Sequence, residues 1–397
     1  MNTPQRPSAE VADINIRIAR LQQLMRHAGM DAMLVSGNAN CFYTTGLIFR
    51  GYVYIPQFGE PVWLVIRPDW KGPGIVNIRK PEQIPDALLG CGISLPATVG
   101  LEYAALSHGD YQRLSAALGD VQTPDASPLL AKARMVKTPY EQQLMRIDGV
   151  HHVAAYSRIP HLYREGMSDI ELQIEIEKKL RAEGCLGVIR LAGTQMEINL
   201  GSVLAGDNAD VPSPYDFLLG GAGQSPALPL GADGTILRPG MTVMVDMNGN
   251  FNGYQTDMTR VYSLDGDIPE KALKAHQVAI DILRRLERES LPGTPLSRMY
   301  TTAAEMAEAA GLSDYFQGHR QKAAFLGHGV GIELNEMPPI SSRSKVTLEA
   351  GMVLAVEPKF VLPGIGAVGV ENTYIVSDNG LENITPAPEE ITTLQGV

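Results

Sequence analysis

The sequence predicts two domains: an α/β domain over about residues 1–132, and an α+β domain over about residues 133–397 with an internal pseudo-twofold duplication. Three observations lead there. Strand-like and helix-like segments alternate up to about residue 130, and at Lys132–Lys137 the chain turns strongly helical. A short pattern then occurs twice. The first copy reads Leu237-x-x-Gly240-Met241, Val245-Asp246, a turn, and Asp257-x-Thr259-x-x-x-Ser263-x-x-Gly266. The second reads Leu348-x-x-Gly351-Met352, Val356-Glu357, a turn, and Glu371-x-Thr373-x-x-x-Ser377-x-x-Gly380.

Taken in order, residues 10–29 read as an amphipathic helix, with Ile14, Ile16, Ile18, Leu21, Leu24 and Met25 giving a helix-like stripe. The run from Asp31 to Gly37 reads as a buried strand ending in a turn, and further strands are expected at 51–55, 62–66 and 99–101. Helices are expected at 139–164 and 168–184, the second N-capped by Ser168 with Glu171 at the capping-box position. A Gly- and Pro-rich stretch (201–240) leads to the first acidic unit. Helices over 269–290 and 296–310 then precede the second, so each half reads as helices followed by a hairpin.

In the first hairpin, residues 241–246 go out, Asn248-Gly249 and Asn252-Gly253 are turn signals, and residues 254–262 return, so that Asp246 and Asp257 face one another. In the second, residues 352–357 go out and 367–376 return carrying Glu371. Four carboxylates at matched places in a duplicated unit cannot all stay ionised at close range without positive charge among them. A pair of metal ions answers that need. Among eight histidines, His151 and His152 fall on a helix, and His27 and His276 read as helix-surface residues. His328 sits instead in Gly327-His328-Gly329-Val330-Gly331, where small neighbours leave room for a ligand. Four carboxylates and an imidazole form a hard set suited to Mn²⁺, Co²⁺, Fe²⁺ or Zn²⁺. Two such ions about 3.5–4 Å apart activate a shared water, which points to metal-assisted hydrolysis.

The bulk properties narrow the field. The formal net charge of −11 disfavours nucleic acid and anionic membranes as partners. No stretch approaches the ~18 apolar residues that cross a bilayer. The first residues lack a secretory pattern and the three scattered cysteines form no disulfide framework, so a cytoplasmic protein is expected. A GxSxG elbow is missing, and Gly220-Gly221-Ala222-Gly223 is too weak a signal for a nucleotide site.

The order Asp246, Asp257, His328, Glu357, Glu371, with Asn252-Gly253-Tyr254-x-x-Asp257-Met258-Thr259-Arg260 and the glycine-flanked His328, resembles that of the pita-bread metallopeptidases. These include aminopeptidase P, prolidase, methionine aminopeptidase and the related creatinase, and residues 10–130 resemble the creatinase-type N-terminal domain. The resemblance implies a dinuclear centre in which Asp246 is bidentate to one ion, Asp257 and Glu371 bridge, and His328 and Glu357 each complete one ion. It also implies that Glu357 shuttles a proton from the shared water to the leaving amine, and by analogy a homodimer.

Three positions depart from the proline-specific members. Leu230 stands where they carry a histidine that binds the substrate carbonyl, and Asn335 where a second histidine stabilises the oxyanion. Gly369 stands where they often carry an arginine. Asn335 can still donate a hydrogen bond but supplies no charge or proton, so Asn335 joins Glu357 as a catalytic candidate. Leu230, Tyr254 and Asn335 are the expected substrate-binding positions. The expected activity is metal-dependent hydrolysis of a peptide or small amide, Xaa-Pro aminopeptidase- or dipeptidase-like with altered specificity. A non-peptidase C–N hydrolase or lyase on the same scaffold, and a non-catalytic binding module, remain alternatives.

Overall fold

The computed structural model describes residues 2–193, 196–264 and 268–396; Gly266, the last position of the first motif copy, lies outside them. The chain divides into two units, Met1–Arg134 and Met135–Val397. In the first, helix α1 (Ser8–Ala28) ends at Gly29 in the left-handed conformation (φ 65), and strand β1 (Ala32–Val35) follows. Next come α2 (Asn38–Thr45), β2 (Arg50–Pro56), β3 (Val62–Arg67), β4 (Ile75–Asn77), α3 (Ile84–Gly90), β5 (Val99–Leu101), α4 (His108–Leu118) and α5 (Ser127–Met135). The strands form one mixed sheet in the order β4-β3-β2-β1-β5. All four residues of β1 are buried, as a central strand covered on both faces requires.

The second unit repeats one plan. Helices α6 (Pro139–Tyr156) and α7 (Asp169–Ala182) both begin with complete capping boxes, Thr138 with Glu141 and Ser168 with Glu171. They pack on a sheet ordered β16-β8-β7-β6, made of β6 (Gly201–Ala205), β7 (Val243–Gly249), β8 (Thr256–Ser263) and the terminal β16 (Thr392–Thr393). Helices α8 (Glu270–Glu289) and α9 (Leu296–Ala309) pack on the other half. That half contains β9 (Phe325–Gly329), β10 (Glu336–Ser341), β11 (Val353–Val356), β12 (Lys359–Leu362), β13 (Gly366–Gly369), β14 (Asn372–Ser377) and β15 (Gly380–Asn383). Its main sheet runs β10-β9-β11-β14-β15, and β12-β13 form a separate ribbon. The single returning strand expected over 367–376 is therefore two, β13 and β14, interrupted where Val370 and Glu371 cross toward the other half.

The halves meet along β8 and β14. Thr259 and Glu371 exchange backbone bonds at 3.4 and 3.3 Å, which joins the two sheets at the place where the acids lie. The threonines that keep their offset in both motif copies explain themselves here. The Thr259 hydroxyl donates to Glu371 Oε2 at 2.6 Å. That of Thr373 donates to the Asp257 carbonyl and accepts from the Asp257 N–H, both at 2.8 Å. Each copy's threonine thus fixes the other copy's acid. Behind them Arg260, buried, donates to the carbonyls of Thr259, Glu371, Thr385, Ala387 and Pro388 and to the Asn372 side chain.

One histidine differs from expectation, His276, while His152 lies on α6 as the sequence reading has it. His276 is buried, not at a helix surface, and pairs through Nε2 with the Glu389 carbonyl at 2.7 Å. His152 is fully buried, and its Nδ1 lies 2.9 Å from Thr256 Oγ1. Both lie on the inward stripe of an amphipathic helix, where apolar neighbours set the face and carry an occasional histidine with them. Among the described residues no helix is long and apolar enough to cross a membrane.

Candidate metal centre

The side chains of Asp246, Asp257, His328, Glu357 and Glu371 converge at the junction of the two halves. Asp246 lies on β7 and Asp257 on β8, but they are not directly opposed: Asp246 pairs with Thr259, and Asn248 with Asp257. They are diagonal neighbours two residues out of step, which still puts both on one face of the ribbon. His328 comes from β9, paired with Ala355 of β11, the strand that leads into Glu357. The His328 Nδ1–H donates to the Gly329 carbonyl at 3.1 Å, which turns the Nε2 lone pair toward the acids.

The spacing on this side suits an ion. His328 Nε2 is 3.8 Å from Asp257 Oδ2 and 3.7 Å from Glu357 Oε1, too far for hydrogen bonds. Ligand atoms at ~2.0–2.2 Å from a shared ion stand roughly 3–3.5 Å apart, so a small inward movement completes the site. Glu371 Oε1 is buried without a hydrogen-bond partner, the condition expected of an atom that coordinates. Burial first, and then the neighbouring carboxylates, hold the Asp257 and Glu371 carboxyls well above their usual range. A cation between them is what returns them to the ionised form.

The other side is different. The ammonium of Lys359, the first residue of β12, lies 2.8 Å from Asp246 Oδ2, 2.8 Å from Glu357 Oε2 and 3.2 Å from Glu371 Oε2. Lys359 is wholly buried. Burial alone would discharge it, but the three acids around it override that and hold its pKa well above the ordinary value. The residues thus fit one divalent ion at Asp257, His328 and Glu371. The expected seat of a second, at Asp246, Glu357 and Glu371, already holds a fixed positive charge.

Sequence reasoning passed over Lys359 because a lysine is ordinarily a surface residue. One signal was present: it follows Glu357 by two positions, and alternate residues of an extended chain share a face.

A cavity of about 260 Å³ opens over the centre. Asp246, Asp257, His328 and Glu357 lie at its floor, with Leu230 and Asn335 in its wall. Asn335 Oδ1 accepts from the Ala192 N–H at 2.7 Å, and its Nδ2 donates to the Ala192 carbonyl at 3.4 Å, so its amide is largely committed to that segment. Tyr254, expected to contact substrate, is not among the residues lining the cavity: it is buried, with its hydroxyl donating to Glu141 Oε1 at 2.8 Å. A buried phenol needs such a partner, and the chain turns toward α6 before β8 begins. Gly369 pairs with Lys359 across the β12-β13 ribbon.

With this geometry in place, the comparison with known proteins is informative. The profile of Metallopeptidase family M24 matches residues 143–378, more than half the chain and all five convergent ligands. The chain belongs to that family. The profile of the Creatinase/Prolidase N-terminal domain matches residues 17–136. An Xaa-Pro dipeptidase of Pyrococcus furiosus is 23% identical over 94% of this chain and 99% of its own length. Among solved structures, an Xaa-Pro dipeptidase from Bacillus anthracis superposes with a TM-score of 0.79 at 24% identity, covering 96% of this chain and 100% of that one. Aminopeptidase P from E. coli with the inhibitor Pro-Leu gives a TM-score of 0.72 at 16% identity, with 94% of each chain covered. This M24 chain is a hydrolase with a creatinase-type N-terminal unit and a pita-bread C-terminal unit, as its sequence resemblance implies.

Proposed function

We propose that this M24 chain cleaves the amide bond of a short peptide or similar small amide at the floor of the cavity, as an Xaa-Pro dipeptidase or aminopeptidase with altered specificity. The observation that carries the reading is the convergence of His328 with buried carboxylates from both halves of the duplication. Asp257, His328 and Glu371 would hold a divalent ion, Mn²⁺ or Co²⁺ being the first to try against Zn²⁺ and Fe²⁺. Once bound, the ion polarises the substrate carbonyl and makes water a stronger acid. Glu357 keeps Oε2 on Lys359 and faces His328 with Oε1, so Oε1 is the atom that takes a proton from water and passes it to the leaving amine. Leu230 offers the substrate a carbon surface in place of an imidazole. Asn335 contributes its amide to the wall while tied to Ala192. The reading includes a cytoplasmic homodimer, in keeping with three free cysteines and tested by light scattering.

A panel of Xaa-Pro, Xaa-Xaa and N-acyl substrates assayed with Mn²⁺ or Co²⁺ tests the proposal. Turnover of at least one peptide is expected. Silence on every peptide, with turnover of another C–N substrate, favours the non-peptidase reading, which the loss of both histidines at Leu230 and Asn335 supports.

A further inference from the structure

The two cation seats differ in what the chain itself supplies to them. On the side of Asp246, three carboxylate oxygens converge on Lys359 Nζ at 2.8–3.2 Å. We propose that the Lys359 ammonium replaces one of the two cations, so that the centre holds a single divalent ion on the side of Asp257 and His328. This rests on the metallohydrolase reading above and adds the composition of its centre.

Space decides the matter. An ion coordinated by the same three oxygens at ~2.0–2.2 Å would lie inside the contact distance of the ammonium nitrogen, and two like charges cannot share that volume. The lysine is not free to withdraw. Its side chain has no exposed surface. Its N–H donates to Gln317 Oε1 and its carbonyl accepts from the Gln317 N–H, both at 2.9 Å. Gln317 is itself buried with φ 55, a conformation rarely taken by a residue with a side chain, and its Nε2 donates to the Phe325 carbonyl at 2.8 Å. A Cβ at Gly369 would stand 2.7 Å from Lys359 Cα and 3.0 Å from its Cγ. A Cβ there would also clash with the Pro358 carbonyl, so the ribbon closes on residue 359 with no room for a side chain at 369, and the Lys359 stem is packed in place.

The experiment counts ions without reference to turnover. The whole chain is loaded with Mn²⁺ and desalted, its metal content is measured by mass spectrometry, and its spectrum is recorded by electron paramagnetic resonance. About one equivalent and the six-line signal of an isolated ion are expected. Lys359→Ala is expected to admit about a second equivalent and to replace that signal with one from a coupled pair. Asp246→Asn is expected to leave the wild-type content near one, and His328→Ala to abolish it. These two and the wild-type measurement stand even if Lys359→Ala does not fold. Two equivalents and a coupled signal in the wild type overturn the proposal, as does a failure to bind any ion. Two ions together with amide turnover overturn the lysine assignment and leave hydrolysis standing. One ion with no turnover on any substrate does the reverse.

Discussion

Arg260 offers the sharpest test of how the two halves are held together. Its guanidinium makes six hydrogen bonds of 2.7–3.1 Å, five of them to main-chain carbonyls, including Thr259 and Glu371 at the junction of the sheets. Charge-assisted bonds are worth about 1.5 kcal/mol each at the low end, or roughly 9 kcal/mol together. Keeping a guanidinium out of water returns several kcal/mol of that. Arg260→Met leaves buried carbonyls without donors, so a net loss of about 4 kcal/mol is expected, a large part of the ~5–15 kcal/mol that holds a typical protein folded. Arg260→Lys keeps the charge but offers three donors instead of five, and should cost about 2 kcal/mol. Urea unfolding followed by far-ultraviolet circular dichroism is the assay. Both tryptophans, Trp63 and Trp70, lie in the first unit and do not report on the second. A loss below ~1 kcal/mol for Arg260→Met, or equal midpoints for Arg260→Lys and wild type, would refute the reasoning.

Further outcomes follow from individual sites. Burial, and then the charge of Arg260, pushes the His152 pKa down to about 3; its contribution is complete above the unfolded value of ~6.5 and is lost as pH falls toward 3. His152→Gln should flatten that limb of the stability–pH curve by about 5 kcal/mol, and an unchanged acid limb would count against a neutral buried imidazole. Gly369→Ala forces a Cβ against Lys359 and the Pro358 carbonyl at a φ of 150, and should lower stability by about 2 kcal/mol in thermal unfolding; a neutral result would show that the ribbon yields easily. Asn335→His restores an imidazole at the cavity wall, and should raise kcat/KM on a weak peptide substrate about tenfold, or ~1.4 kcal/mol. No change, or a fall, would place residue 335 away from the reacting carbonyl.

The duplication made much of this centre legible. Because the acids, glycines and threonines keep their offsets in both copies, the convergence of Asp246, Asp257, Glu357 and Glu371 could be inferred before any coordinates. His328 stood out through its glycine neighbours. What stayed hidden depends on long-range packing. The two-residue stagger between Asp246 and Asp257 is set by hairpin register, which turn signals alone do not fix. Tyr254, expected at the substrate from its place in the Asn252–Arg260 motif, instead gives its hydroxyl to Glu141, far away in the chain. Lys359 was hidden more deeply, since only the folded ribbon shows that its stem has nowhere else to go.

The fit of Lys359 against Gly369 has a practical bearing on redesign. Each position carries its own cost when altered: adding a side chain at 369 presses on the Pro358 carbonyl and the Lys359 Cα, and trimming 359 leaves three acids dependent on a second cation for their counter-charge. Anyone converting this pocket to the arginine-bearing type must shift the backbone at Pro358 and Lys359 as well as exchange the residue at 369. Mutant libraries that vary one codon at a time are expected to recover metal-dependent variants at 359 and merely destabilised ones at 369, so the two positions sort by different screens.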